Sequence, residues 1–576
     1  MANGRDSTFR YQNICATLIA CIALAACSEQ DPASSTDEQE PSPPQDRPNI
    51  LLIVADDLGY TDLGVFGSEI ETPNLDALAR AGVIFNNFYV APTCSPTRSM
   101  LLSGTDNHLA GLGAMAGEAA PNQEGIPGYE GHLSPNVVSL AELLGDGGYH
   151  TYMTGKWHLG MTEETSPAAR GFEKSFTLVP GGAGHLDTMS LVGPGKARYR
   201  EDMNIVESLP DDFYSSRFYS RKLIDYIDSS KDDGRPFFAY LAFTAPHWPL
   251  QAPDESIAKQ KGNYDLGYDD LYARRVAALQ ETGLVATDIK SHPRLAGEPG
   301  WEDLTPEEQR REARMMEIYA AMVDDLDDYV GEVIDYLKSI DEFDNTFIVF
   351  MSDNGAEGHH IDQSIPVMGE WAEACCDNSY ENMGRKNTYL WYGPNWARAS
   401  VGPWRLFKGF AAEGGIRSPA FIHYPELTGG RVNGNVQTVM DIMPTILDLA
   451  GLEHPGTQYE GREVLPMAGA SMMPMLRGET ESTHAKDHVF GWELFGKTAL
   501  RQGDWKIIQL PTKDLWSRHK PLEEAYPWQL YNIADDPGET NDLAAHNPEK
   551  LIEMIALWEQ YEADYGVIVP DEVSGY

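Results

Sequence analysis

The stretch Ile50-Leu51-Leu52-Ile53-Val54-Ala55-Asp56-Asp57 decides the fold. Six apolar residues without polar alternation describe a strand covered on both faces, since a strand with one wet face would alternate. The run ends on two adjacent acids, whose charges repel one another unless a cation holds them. Similar apolar runs at 151–154, after Tyr149, at 237–244 and at 346–352 end in Lys156-Trp157-His158, Pro246-His247 and Asp353-Asn354. Helix-like segments follow many of these runs, so the chain reads as α/β, with a large, mostly parallel central sheet flanked by helices. In an open parallel sheet the C-terminal strand ends share one edge, where ligands bind. Any one cluster alone reads as a charged loop; four distant ones predict a site.

Composition limits what that site can serve. The 576 residues carry 88 Asp+Glu against 43 Lys+Arg, a formal charge of −45. This excludes electrostatic binding of nucleic acid or anionic membrane surfaces, which needs a basic patch. At 42% hydrophobic the chain is too apolar for a disordered acid. An anionic substrate would require local cations or a metal to reverse the general field.

The N-terminus reads as a leader. Arg5 and Arg10 precede an apolar run from Ile14 to Ala26, too short to span a bilayer, and Leu24-Ala25-Ala26-Cys27 resembles a bacterial lipobox. The expectation is a lipoprotein signal over 1–26, a lipid anchor on Cys27 and a Pro-rich tether over 27–48, placing the protein in the periplasm or outer membrane. A plain signal peptide with a coincidental Cys is the alternative. The folded part then divides into 49–485 and a smaller 486–576. Of six cysteines, only Cys94, Cys375 and Cys376 remain in it. Neighbouring Cα atoms lie about 3.8 Å apart, shorter than disulfides prefer, so Cys375 and Cys376 read as two buried thiols.

After the run Val83 to Val90 comes Cys94-Ser95-Pro96-Thr97-Arg98, continuing to Gly104. Pro96 is placed to open a helix, which puts Cys94 at an N-terminus where free N–H groups favour an anion. Composition predicts only about 0.03 chance occurrences of Cys-x-Pro-x-Arg. Asp56, Asp57, Asp353 and the amide of Asn354 offer hard oxygen donors, which suit Ca²⁺ better than zinc.

The segment from Cys94 to Gly104 resembles the signature of the type I sulfatases of the alkaline phosphatase superfamily. Further landmarks are Asp56-Asp57, Gly155 to Gly160, Ala245 to Pro249, Ser352 to Gly355, and Lys408 followed by Glu413-Gly414-Gly415. The stretch from Cys376 to Pro419 is similar to bacterial arylsulfatases of the Pseudomonas type. The resemblance implies that a maturation enzyme oxidises Cys94 to formylglycine, beside Ca²⁺ held by Asp56, Asp57, position 94, Asp353 and Asn354. One hydroxyl of the aldehyde hydrate would attack sulfur, with Asp353 as base and Arg98 holding the hydrate. Lys156, Lys408 and His247 would bind the ester oxygens, His247 or Lys408 giving the leaving group its proton. His158 would take a proton from the second hydroxyl to expel sulfate. The implied substrate is a small aryl or alkyl sulfate ester. The rivals are a phosphonate or phosphate monoester hydrolase or a carbohydrate sulfatase on the same fold, and a non-catalytic anion-binding lipoprotein.

Other features read as structural. His359 and His360 read as loop residues, and Glu307 to Ser339 as a covering helix. Trp157, Trp248, Trp391, Trp396 and Trp404 read equally as core or as an aryl pocket. From Thr498 onward the pattern resembles the small C-terminal sulfatase subdomain, an antiparallel sheet with a helix over Leu543 to Tyr565. Lys506 and Trp528 then belong to structure or the pocket rim.

Overall fold

Neighbouring side chains in the first run serve two different cores. In the computed structural model, which describes residues 47–427, 429–510 and 526–572, the run is strand β1 (Asn49–Ala55). Ile50, Leu52 and Val54 enter one apolar cluster, Leu51, Ile53 and Ala55 the other. An unbroken apolar sequence is what two dry faces require. The expected leader, Cys27 and nearly all of the tether lie outside the described residues.

Nine more strands complete the sheet: β2 (Val83–Phe85), β3 (His150–Lys156), β4 (Lys174–Leu178), β5 (Tyr199–Glu201), β6 (Asn204–Ile205), β7 (Phe237–Ala242), β8 (Thr346–Ser352), β9 (Ala420–His423) and β10 (Arg431–Asn433). Their order is β10-β2-β9-β8-β1-β7-β3-β4-β5-β6. From β8 through β4 all pairs are parallel, whereas β9, β5 and β6 add antiparallel pairs at the flanks. The four runs singled out in the sequence are thus the adjacent strands β8, β1, β7 and β3. Their ends are level, with Ala55 opposite Ser352, and Ala242 opposite both Val54 and Gly155.

Helices cover both faces. The helices α1 (Pro73–Ala81), α2 (Cys94–Ser103), α3 (Ser215–Asp228), α4 (Pro306–Ser339) and α5 (Ile442–Ala450) divide between the cores. Leu75, Leu223 and Met316 join one; Leu101, Leu102 and Ile446 join the other. The covering helix α4 starts where Thr305 accepts from the Glu308 N–H in a capping box, with Pro306 in the first turn. Among the described residues no helix is long and apolar enough to cross a membrane.

The C-terminal sheet is an antiparallel meander of β11 (Val489–Leu494), β12 (Lys497–Gln502), β13 (Trp505–Gln509) and β14 (Gln529–Asn532). Leu500, Ile507 and Leu530 bury against Met554 and Trp558 of α6 (Pro548–Tyr565). The helix starts five residues later than its apolar period suggests, because Pro548 fits the first turn and not a helix interior. Lys506 lies buried between Glu413 at 2.8 Å and Glu539 at 2.7 Å, and Trp528 packs on Trp558. Both are structural.

Two local readings change. The run from Val83 to Val90 breaks at Asn86-Asn87 into two short strands, the second at Phe88–Tyr89. Cys375 and Cys376 are half-exposed and joined by a disulfide, with Cα atoms 3.7 Å apart, instead of standing as buried thiols. A helix ends at Cys375 while Cys376 is extended (φ −131°, ψ 152°). That change of backbone conformation aims the two side chains together, which sequence proximity alone did not reveal.

Candidate active site

Asp56 and Asp57 follow β1 directly and are 0% and 1% exposed. The Asp56 N–H donates to Ala245 O at 3.0 Å, and Asp353, after β8, donates its N–H to Ala55 O at 3.1 Å. These links stitch three strand ends into one floor. Asp57 has φ +67°, in the left-handed region, and its N–H reaches Asp353 Oδ1 at 3.3 Å. Such backbone strain in a non-glycine residue needs surroundings that hold it in place.

Helix α2 aims its N-terminus at this floor. Cys94 is its first residue, two positions earlier than Pro96 suggests; Pro96 sits within the first turn, where its missing N–H costs no hydrogen bond. One donor atom each from Asp56, Asp57 and Cys94 lie within 4.8 Å of one another. Burial pushes the Cys94 thiol up to about 11, so the unmodified side chain is a neutral thiol and a weak nucleophile.

One turn along, Arg98 is fully buried. Its Nε donates to Asp353 Oδ2 at 2.8 Å, Nη2 lies 2.7 Å from the same oxygen, and Nη1 donates to Lys156 O at 3.0 Å. Lys156, at the end of β3, gives both oxygens of Asp56 a hydrogen bond, at 2.9 and 2.8 Å. Lys408 holds Asp57 at 2.9 Å and Glu357 at 3.3 Å. Burial nevertheless raises Asp56 to about 8 against the opposing charge of Lys156, and Asp57 to about 6 against Lys408.

The two histidines complete the ring. His247 Nε2 is 3.6 Å from Asp57 Oδ2, and its Nδ1 pairs with Trp248 O. His158 has φ +55° and is 8% exposed. Burial first, then the nearby lysines, holds both imidazoles well below their ordinary range, so both are neutral near pH 7. Asn354 Nδ2 donates to Asp57 Oδ1 at 2.7 Å, while Asn354 Oδ1 is buried without a hydrogen-bond partner.

Asp56, Asp57, Cys94, Arg98, Lys156, His158, His247, Asp353, Asn354 and Lys408 therefore converge on one sheet edge, while Cys27 lies outside the described residues. The sequence reading missed Glu357, which pairs with Lys408 and accepts from the His359 ring at 2.6 Å. His359 lies in the loop after β8, as the sequence suggests, and is buried there against Glu357. Trp157, Trp396 and Trp404 belong to the two main cores; Trp248 and Trp391 join a separate apolar cluster, with Trp248 packed on His247.

The sulfatase family profile matches residues 48–452, which span all of these groups. The chain belongs to the sulfatase family. This sulfatase is 45% identical over 542 residues to an uncharacterized sulfatase of Schizosaccharomyces pombe, covering 91% of this chain and 95% of that one. It is 40% identical over 450 residues to an arylsulfatase of Klebsiella aerogenes, covering 77% and 95%. The human N-acetylgalactosamine-6-sulfatase is 30% identical over 549 residues, covering 89% and 85%. Among solved structures, Ps i-CgsB in complex with k-i-k-neocarrahexaose superposes with a TM-score of 0.62 at 25% identity, covering 90% of this sulfatase and 93% of that chain.

Proposed function

We propose that this sulfatase hydrolyses sulfate monoesters at the Asp56–Cys94 site, using a formylglycine made from Cys94 and a calcium ion. The observation that carries the reading is the Cys94 side chain at a helix N-terminus, within 4.8 Å of two buried aspartates and ringed by Arg98, Lys156 and Lys408. The donor set fits a hard divalent cation: Asp56, Asp57, Asp353 and Asn354 bring oxygens only, and the buried Asn354 Oδ1 awaits a partner.

Bound there, calcium would supply Lewis-acid stabilisation of the ester oxygens. Formylglycine at position 94 would supply a nucleophile that also carries the means to expel sulfate. The rest falls to the chain itself. With Asp56 and Asp57 engaged by a cation, the Lys156 and Lys408 ammonium groups are left to face the ester oxygens. Asp353, oriented by Arg98, accepts the nucleophile's proton. Lys408 is the group in the right state to protonate the leaving oxygen, since His247 is neutral with its N–H turned to Trp248 O, and neutral His158 is in the right state to take a proton during sulfate release.

For the alcohol part, the expected aryl or small alkyl ester has the support of the Klebsiella arylsulfatase and of the Pseudomonas-type likeness of 376–419. Sulfated carbohydrate has the broader support, from the N-acetylgalactosamine-6-sulfatase and from the oligosaccharide complex of Ps i-CgsB. We therefore place carbohydrate sulfate esters first. Export with a lipid on Cys27, and maturation by a formylglycine-generating enzyme, belong to the same proposal and rest on the sequence alone.

Comparing kcat/KM for a sulfated galactosamine or galactose oligosaccharide, an aryl sulfate and the matching aryl phosphate tests the reading. Preference for the sugar ester is expected. Preference for the aryl sulfate returns the substrate to the small-ester class, and preference for phosphate overturns sulfate hydrolysis.

A further inference from the structure

A buried histidine is normally oriented by a hydrogen bond on its second ring nitrogen. His247 follows that rule through Trp248 O. His158 does not: its Nδ1 is buried and has no hydrogen-bond partner. Something other than hydrogen bonding must hold its ring where a proton can be taken.

The loop after β4 supplies it. A Cβ placed on Gly181 would lie 2.7 Å from His158 Cε1, 2.9 Å from Nε2 and 3.2 Å from Nδ1, so the bare glycine Cα forms the surface on which the ring rests. Gly181 lacks the positive φ that favours glycine, so its backbone accepts alanine, and the His158 ring is what excludes it. The loop has little room to retreat. Val179 O accepts the His158 N–H at 3.2 Å, His185 N–H donates to Gln251 Oε1 at 2.9 Å, and the His185 ring bonds His247 O at 2.8 Å and Ser215 Oγ at 2.8 Å.

The adjacent glycine is a built-in control. A Cβ on Gly182 would meet Leu191 Cδ1 at 2.5 Å, the end of a flexible side chain, and His247 Cε1 only at an ordinary 3.5 Å. A methyl at 182 is absorbed by Leu191; one at 181 must move the His158 ring.

We propose that Gly181 is a positioning residue for His158, its missing side chain setting the orientation in which the imidazole receives a proton. The consequence for turnover rests on the role given to His158 above, whereas the contact itself does not. A double-mutant cycle separates the two. In the unmodified protein, Gly181→Ala is expected to lower the unfolding midpoint by several degrees alone and by no more than about 1 °C on a His158→Ala background. Should Gly181→Ala fail to fold, the double variant is expected to restore folding. Equal destabilisation on both backgrounds, or no rescue, overturns the proposal.

In the matured enzyme, Gly181→Ala is expected to reduce kcat about 100-fold with KM within about threefold, as a misplacement of order 1 Å does. Gly182→Ala is expected to stay within about threefold in both. A coupled cycle with undiminished kcat in Gly181→Ala overturns the catalytic part of the proposal. His158→Gln retaining full turnover would instead strike at the mechanism, independently of Gly181.

Discussion

Arg98 and Asp353, 255 positions apart, meet as a fully buried pair in which two guanidinium nitrogens share one carboxylate oxygen, at 2.8 and 2.7 Å. The pair joins the helix that presents Cys94 to the strand end that presents Asp353, so position 94 and its proposed base are held in register by one contact. Removing one member of a buried pair leaves the other charge uncompensated, a loss of about 3–5 kcal/mol. Arg98→Met is therefore expected to lose that much in urea unfolding as well as its activity. Arg98→Lys is expected to keep part of the stability, since a lysine lacks the fork. An Arg98→Met variant within about 1 kcal/mol of the parent would contradict this role.

Calcium dependence follows from the donor set. Chelation is expected to abolish turnover, and added Ca²⁺ to restore it and raise the unfolding midpoint. The stabilisation is about 2.7 kcal/mol when free ion is 100-fold above its dissociation constant. Asp57→Asn is expected to lose most of that ion-dependent stabilisation in thermal unfolding. Full activity in chelator would remove the metal from the mechanism.

His108 makes alkaline stability pH-dependent. Burial opposes its charge, but Asp106 at 2.7 Å and Glu493 at 3.3 Å outweigh burial and raise it to about 9. A group raised above its unfolded value near 6.5 contributes its full stability below pH 6.5 and loses it as pH rises through 9. The amount at stake is roughly 3 kcal/mol. Urea midpoints measured from pH 6 to pH 10 should therefore fall more steeply for the parent than for His108→Gln. Parallel curves would show that His108 is not charged in the folded protein.

Lys506 ties the C-terminal sheet to the catalytic part. Lys506→Met removes the lysine from buried Glu539, while Glu413 keeps Arg417 at 2.6 Å, and is expected to cost about 3–5 kcal/mol. Comparing its urea unfolding with that of Lys550→Met, an outer ion pair of α6 expected to change stability by less than about 1 kcal/mol, checks that burial sets the difference.

The central strands and the reacting ring were readable because unbroken apolar runs report two-sided burial, and because each ended on a group costly to bury alone. Asp56, Lys156, His247 and Asp353 announce themselves in that way. Glu357 does not, since an acid inside a loop looks like any solvated charge until Lys408 is seen beside it. Gly181 was illegible for a deeper reason. Its role lies in an atom it lacks, and only the distance to the His158 ring reveals what that absence does. The Cys375–Cys376 bridge depended on a backbone turn at a helix end that spacing does not encode.

Mass spectrometry of the peptide containing position 94, from active protein purified from its own cells, is the most direct test of the account. Formylglycine in place of the cysteine is the predicted result. A fully active preparation in which Cys94 retains its sulfur would contradict the proposed chemistry.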